Sequence, residues 1–169
     1  MSLTMYQTAV PTFVRMLENL SAVLKKGEEH AKSNGINEAD LITAKLAEDM
    51  FPLARQIQIA SDAAKGAGAR LAQVEVPSFE DTETTFADLQ ERIAKTVSFL
   101  KSVDAAKMDG SESRAVTVKT RNGELNFSNG LEYLMTAAFP NFFFHVTTAY
   151  DILRHNGVQL GKKDFLGNA

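Results

Sequence analysis

The chain has 169 residues, of which 44% are hydrophobic and 23% charged, and its formal net charge is −3. It contains no cysteine, which excludes disulfides, thiolate metal sites and a cysteine nucleophile. The acidic balance speaks against a nucleic-acid surface, and no uncharged apolar run approaches a membrane span. A length of 169 residues predicts one domain over residues 1–169. The start of the chain lacks the basic and apolar regions of a secretory signal, so we expect a cytoplasmic protein.

Three long stretches repeat apolar residues at helical spacing, and each predicts an amphipathic helix. They cover residues 6–32, 50–72 and 85–104. In the first helix, Pro11 should begin the regular part or kink it. In the second, Asp49 is the expected N-cap and Pro52 falls in the first turn. The third begins with Thr85-x-x-Asp88, which resembles a capping box.

Two features lie between these helices and the end of the chain. The acidic run Glu80-Asp81-Thr82-Glu83 is interpreted as solvent-facing charge near a helix start rather than as metal ligands. Residues 115–128 change the apolar period from 3.6 to 2, and Asn122-Gly123 in their middle predicts a β-hairpin. A two-residue turn at Asn122-Gly123 would place Val118 opposite Phe127 on the face that covers the bundle.

The last part of the chain predicts two more helical segments. Residues 128–138 should form a short helix with Leu131, Leu134 and Met135 facing inward, broken near Phe139-Pro140. Residues 142–156 should form the closing helix, which ends at Asn156-Gly157 because glycine adopts the left-handed conformation without strain.

The apolar stripe of the closing helix includes one histidine, His145. A histidine on such a face is usually a core residue with one ring nitrogen hydrogen-bonded, and the alternative is a ligand role. Asn141 lies one turn earlier on the same face. Gln56, Gln58 and Asp62 lie near the middle of the second helix, where they form either a solvated flank or polar partners that face His145.

Three segments, FFFHVTTAYDILRHNGVQLGKKDFLG, DMFPLARQIQIASDAAKG and TFADLQERI, carry a family resemblance. The chain resembles, over nearly its whole length, the bacterial domain-of-unknown-function family 1993 (DUF1993) of the DinB/YfiT-like superfamily. That resemblance implies an all-α fold, a four-helix bundle with a small β-hairpin before the last helix, and often a homodimer. Ile59, nearly opposite the core stripe of the second helix, suggests an apolar subunit contact.

The resemblance also implies a metal site, because many superfamily members bind a divalent ion through one histidine on the second helix and an HxxxH pair on the last. His145 matches the second histidine of that pair, and Asn141 stands at the first position. The second helix has no histidine, so Gln56, Gln58 or Asp62 would have to stand in. Since an amide is a weak ligand, we expect a degenerate site that binds zinc or nickel weakly at most.

Two functions stay open at this point. One is a non-catalytic or small-ligand-binding homodimer with a degenerate metal site. The other, also implied by the resemblance, is a thiol-transferase-type enzyme that is metal-dependent or uses His145 as a general acid/base. The sequence identifies no substrate and no catalytic residue, and we expect neither a nucleic-acid nor a membrane partner.

Overall fold

The computed structural model describes residues 3–120 and 122–167, and within these ranges four long helices form a bundle. They are α1 (Met5–Asn34), α3 (Leu53–Ala72), α4 (Phe86–Ser102) and α6 (Phe139–His155). The shorter elements are α2 (Glu38–Ile42), β1 (Val116–Thr120), β2 (Gly123–Phe127), α5 (Gly130–Tyr133) and α7 (Lys162–Leu166), together with two 3₁₀ turns, Ala105–Met108 and Ser111–Ser113. The predicted all-α bundle with a hairpin before its last long helix is therefore confirmed. None of the helices in the described ranges is long and apolar enough to cross a membrane.

Helix α3 has long helices on two sides. It packs against α6 and α4, α1 packs against α4, and contacts between α1 and α6 close the bundle. Small residues make this packing close, since a Cβ added at Gly68 would lie 2.7 Å from Cδ2 of Leu100 on α4. That contact accounts for a glycine inside α3, where it costs about 1 kcal/mol in helix propensity.

The predicted start is right for α4, and the structure differs from the prediction at α3 and at Pro11 of α1. The capping box of α4 is present, with Thr85 Oγ1 accepting from the Asp88 amide at 3.1 Å. For α3 the N-cap is Pro52 and not Asp49, because the residue before a proline is pushed away from helical conformation. Pro11 does not begin α1, which starts at its cap Thr4 and continues through the proline.

The closing helix begins earlier than predicted and is not broken at its proline. A π-helical turn, Leu134–Ala138, joins α5 directly to α6. Leu134 is buried as predicted, but Leu131 and Met135 are exposed. The π turn begins at Leu134 and changes the helical phase there, so an extrapolation at 3.6 residues per turn places Met135 on the wrong side.

The hairpin forms with its turn one residue earlier than predicted. Thr120 pairs with Gly123 and Val118 pairs with Leu125, so Gly123 belongs to β2 and not to the turn. The predicted pairing of Val118 with Phe127 is therefore wrong by two residues. Side chains alternate with period two, so a shift of two keeps both residues on the same face. Gly123 begins β2 with φ +127°, which only glycine adopts without strain.

Candidate functional site

His145 lies on the inner face of α6 and is 8% exposed. Its Nδ1–H donates to Oε1 of Gln56 on α3 at 2.6 Å, as expected for a buried histidine facing the second long helix. Nε2 of Gln56 donates in turn to the backbone oxygen of Phe51 at 3.0 Å. Because this second bond orients the amide so that only its oxygen faces the ring, the neutral imidazole carries its proton on Nδ1.

The surroundings of His145 favour the neutral ring. Burial lowers the pKa of His145 below its ordinary value, and the positive charge of Arg55 lowers that pKa further. Nε2 has no hydrogen-bond partner among the residues that the structure describes. The ring of Phe144 stands edge-on to the imidazole at 5.2 Å, and both Phe144 and Phe51 are 56% exposed. The site thus combines one imidazole lone pair with the exposed ring of Phe144.

Asn141 does not share this site. It is exposed and lines a groove of about 550 Å³ beside the hairpin, together with Asp62. Positions four apart on a helix differ by about 40°, and at the first turn of α6 that offset moves Asn141 to the edge of the apolar stripe. The prediction that Asn141 and His145 point inward together is wrong, and Asp62 does not contact the histidine.

The two glutamines of α3 are buried, so the interpretation of a solvated flank is wrong for both. Gln56 is 1% exposed and holds His145, whereas Gln58 is 6% exposed and faces another side of α3. Gln58 donates to Glu83 at 2.8 Å and accepts from Arg55 at 3.0 Å. Of the predicted pocket, the structure therefore brings only Gln56 and His145 together.

The residues around His145 do not fit a three-ligand metal site. Within residues 3–120 and 122–167, no three His, Cys, Asp or Glu side chains lie close enough together to hold a metal ion. Oε1 of Gln56 already accepts the Nδ1–H of His145, which leaves Nε2 as the single strong donor. One imidazole without a second strong ligand holds zinc or nickel weakly.

Arg92 on α4 is a buried charge that the sequence reasoning missed. Its side chain is 1% exposed and is surrounded by oxygens at 2.8–3.1 Å. They belong to the carboxylates of Asp62, Asp81 and Glu83 and to the backbone of Glu80. Burial opposes the charge, but the hydrogen bond that Arg92 donates to Glu83 and the charges of the nearby carboxylates outweigh the effect of burial and raise the pKa of Arg92.

The prediction that the acidic run faces solvent is therefore right for Glu80, Asp81 and Thr82, which are exposed, and wrong for Glu83. The carboxylates of Asp81 and Glu83 pair with Arg92, because a buried guanidinium requires anionic partners. A signal was present in the sequence, since Arg92 follows the buried Leu89 by three positions and precedes the buried Thr96 by four. An arginine at an apolar position of an amphipathic helix indicates either a buried ion pair or a gap in the apolar face of that helix.

Comparison with known proteins supports the bundle as a whole. A crystal structure of a DinB family member protein from Shewanella denitrificans superposes with a TM-score of 0.87 and 40% identity, covering 97% of this chain and 92% of that one. No curated protein matches significantly. The sequence profile of DUF1993, described as a domain of unknown function, matches residues 5–166. The chain therefore belongs to the DUF1993 family, with a DinB-like fold.

Proposed function

We propose that this protein is a non-catalytic, small-ligand-binding DinB-like bundle, one domain over residues 1–169, with a degenerate metal site. The observation that carries the proposal is the hydrogen bond between His145 and Gln56. It occupies the one side-chain oxygen that faces the imidazole, so the pair is satisfied without a metal ion. The second ring nitrogen of His145, Nε2, carries a free lone pair and can accept a hydrogen bond from a ligand.

The exposed ring beside His145 supports a ligand role. Phe144 offers apolar surface next to the imidazole, and Arg55, whose guanidinium lies 5.9 Å from the ring centre of the exposed Phe51, adds a positive charge that acts on His145. Aromatic walls with a few convergent polar groups are typical of small-molecule sites. A ligand with an N–H or O–H group and an apolar body would suit this combination.

Calorimetric titration with Zn²⁺ and with Ni²⁺ tests the degenerate site. We expect no stoichiometric binding by the parent at micromolar concentration. Gln56→His places a second imidazole against His145 and should raise the affinity at least about tenfold, since imidazole is the stronger ligand. Asn141→His is the matched control, and it should bring no gain because position 141 faces the hairpin groove. Tight stoichiometric binding by the parent that is lost in His145→Ala would contradict the proposal.

One observation favours a second function, a thiol-transferase-type enzyme. The lowered pKa of His145 keeps Nε2 unprotonated near neutral pH, which suits a general base that takes the proton of a thiol. Glutathione with 1-chloro-2,4-dinitrobenzene, assayed with and without added Zn²⁺ or Ni²⁺, tests it. Turnover that disappears in His145→Gln would support the enzyme, and an inactive parent under every condition would support the non-catalytic proposal.

We also propose that the protein assembles as a homodimer. The supporting feature is the outer side of α4, where Ile93, Ala94 and Val97 line a groove of about 630 Å³ against α1. Helix α3 offers less exposed surface for such a contact, and Ile59 lines the hairpin groove of the same chain.

Sedimentation should give a mass of twice the 18.5 kDa of one chain, and Ala94→Arg should lower the mass to that of the monomer. A parent that sediments as a monomer at micromolar concentration would refute the homodimer, and Thr147→Arg on exposed α6 surface is the control.

A further inference from the structure

The groove beside the hairpin is mostly apolar and is separate from the site at His145. It has a volume of about 550 Å³ and is bounded by α3, the hairpin and the start of α6. Its apolar wall includes Ile59, Ala63, Val118, Leu125, Phe127 and Pro140. The π-helical turn Leu134–Ala138 lines another side, and such turns occur often at functional sites. The groove thus has the shape and surface of a site for the apolar part of a small molecule.

Arg70 on α3 supplies the charge in this groove. Its Nη1 donates to the hydroxyl oxygen of Tyr133 at 3.2 Å, and it forms no ion pair among the residues that the structure describes. A guanidinium has five N–H donors in a planar fork that matches a carboxylate, so most of its hydrogen-bonding capacity is still available. A half-exposed arginine in an apolar groove, without a carboxylate partner among the described residues, favours an anionic ligand.

The position of this guanidinium depends on a glycine one turn earlier. A Cβ added at Gly66 would overlap Nη1 of Arg70, with other atoms of the same side chain close behind it. The missing side chain at Gly66 therefore leaves the space in which Arg70 folds back along α3 toward Tyr133. A side chain at position 66 would therefore require the guanidinium of Arg70 to move from this place.

Tyr133 provides a second hydrogen-bonding group at the same end of the groove. It is nearly fully buried, and burial raises the pKa of its hydroxyl, with Arg70 acting in the opposite direction. The phenol therefore stays protonated, accepts from Arg70, and keeps its O–H for an acceptor in the groove. The carboxylate of Asp62 at the groove wall is already paired with Lys65 and Arg92 at 3.0 and 2.9 Å, which reduces its repulsion of an anion.

We propose that this groove binds a small carboxylate with an apolar body, its carboxylate on Arg70 and Tyr133 and its hydrocarbon part between Ile59 and the hairpin. The inference rests on the proposed ligand-binding function, but it names a different site and a class of ligand. The apolar wall suits an aliphatic chain, and the charge complementarity selects an acid over an alcohol or an amine.

Calorimetry with octanoate tests this site, with octylammonium and octan-1-ol as probes of the same chain length. We expect octanoate to bind the parent, octan-1-ol to bind at least tenfold more weakly, and octylammonium not to bind. Arg70→Gln should weaken octanoate at least tenfold. Gly66→Ala keeps the charge but displaces the guanidinium, and it should also weaken octanoate. Arg154→Gln removes an exposed arginine elsewhere and should leave the affinity unchanged.

Two results would overturn the inference. The first is that the parent does not bind octanoate at a concentration of about 1 mM, which lies well above the dissociation constants of specific sites. The second is that the parent, Arg70→Gln and Gly66→Ala bind octanoate with equal affinity. The unfolding midpoint of each variant shows whether that variant is folded. If Arg70→Gln does not fold, the octanoate affinity of Gly66→Ala tests the inference instead. His145→Ala should not change octanoate binding. A groove that does not bind octanoate would therefore not contradict the proposed ligand site at His145. Tight metal binding at His145 would likewise not contradict the proposed carboxylate site in the groove.

Discussion

Arg92 holds a positive charge in the interior because carboxylate and backbone oxygens replace its water. The arrangement is asymmetric, since Glu83 is nearly buried while Asp62 and Asp81 are about two-fifths exposed. Water therefore screens part of the attraction, and the network is weaker than a fully buried one. Its role is to hold the segment before α4 against α3.

Replacing Arg92 should be strongly destabilising. Arg92→Met retains bulk but leaves Glu83 without its partner, and we expect a loss on the order of 3 kcal/mol in the free energy of unfolding. Urea denaturation followed by circular dichroism measures it. Arg154→Met, on the exposed side of α6, should change the stability by less than about 0.5 kcal/mol. An Arg92→Met variant as stable as the parent would show that desolvation of the ions cancels their attraction.

His145 predicts a pH dependence of stability. Its pKa is lowered in the folded state, so the unfolded chain binds a proton more readily as the pH falls below about 6.5. The free energy of unfolding should therefore decrease as the pH falls below about 6.5 and level off below the folded-state pKa. His145→Gln can still donate to Gln56 and should show a shallower decrease over the same range. Parallel curves for parent and variant would exclude His145 as the cause.

At the level of secondary-structure elements, the hairpin depends on a glycine that is paired within a strand. Gly123 opposes Thr120 with φ +127°, where a β-branched side chain is strained. Gly123→Val should cost about 1 kcal/mol or more, seen as a lower unfolding midpoint. Lys119→Val, in the facing strand and exposed, should stay within about 0.5 kcal/mol. An unchanged midpoint for Gly123→Val would show that this backbone geometry is not required.

On the scale of the whole molecule, the C-terminal helix α7 packs back onto α1. Asp164 pairs with Lys26 at 2.6 Å, and the backbone oxygen of Phe165 accepts from Asn19 at 3.1 Å. The Phe165 ring lies 5.9 Å from Tyr150 on α6, so this short helix covers the junction between the first and the last long helix. Both ends of the described chain thus contribute to one packing unit.

Truncating the aromatic ring of α7 should loosen that junction. Phe165→Ala removes a half-buried ring that packs against α1 and α6, and we expect a loss of about 1–2 kcal/mol in unfolding free energy. Leu166→Ala, its exposed neighbour, should cost less than about 0.5 kcal/mol. Denaturant unfolding of both variants decides this. Equal stability of the two would mean that α7 adds nothing to the bundle.

Some of these features follow from local patterns and were predictable. The stripe of α6, the capping box of α4 and the inward position of His145 depend on residues within one or two turns of each other. The exposure of Asn141 was not predictable from the same pattern, because the neighbouring elements decide what covers the edge of a stripe. The π turn before α6 was not predictable either, because a single turn of this kind leaves no recognisable spacing of apolar residues in the sequence.

The sequence by itself determined four amphipathic helices, a hairpin before the last of them and a buried histidine on its inner face, since apolar periodicity and turn residues act locally. Only the tertiary structure decided that Gln56 holds His145 across 89 positions and that Asp62 meets Arg92 across 30. The physical reason is that a polar side chain takes its role from partners on other helices. Which helices meet, and at what height along their axes, depends on the packing of the complete core.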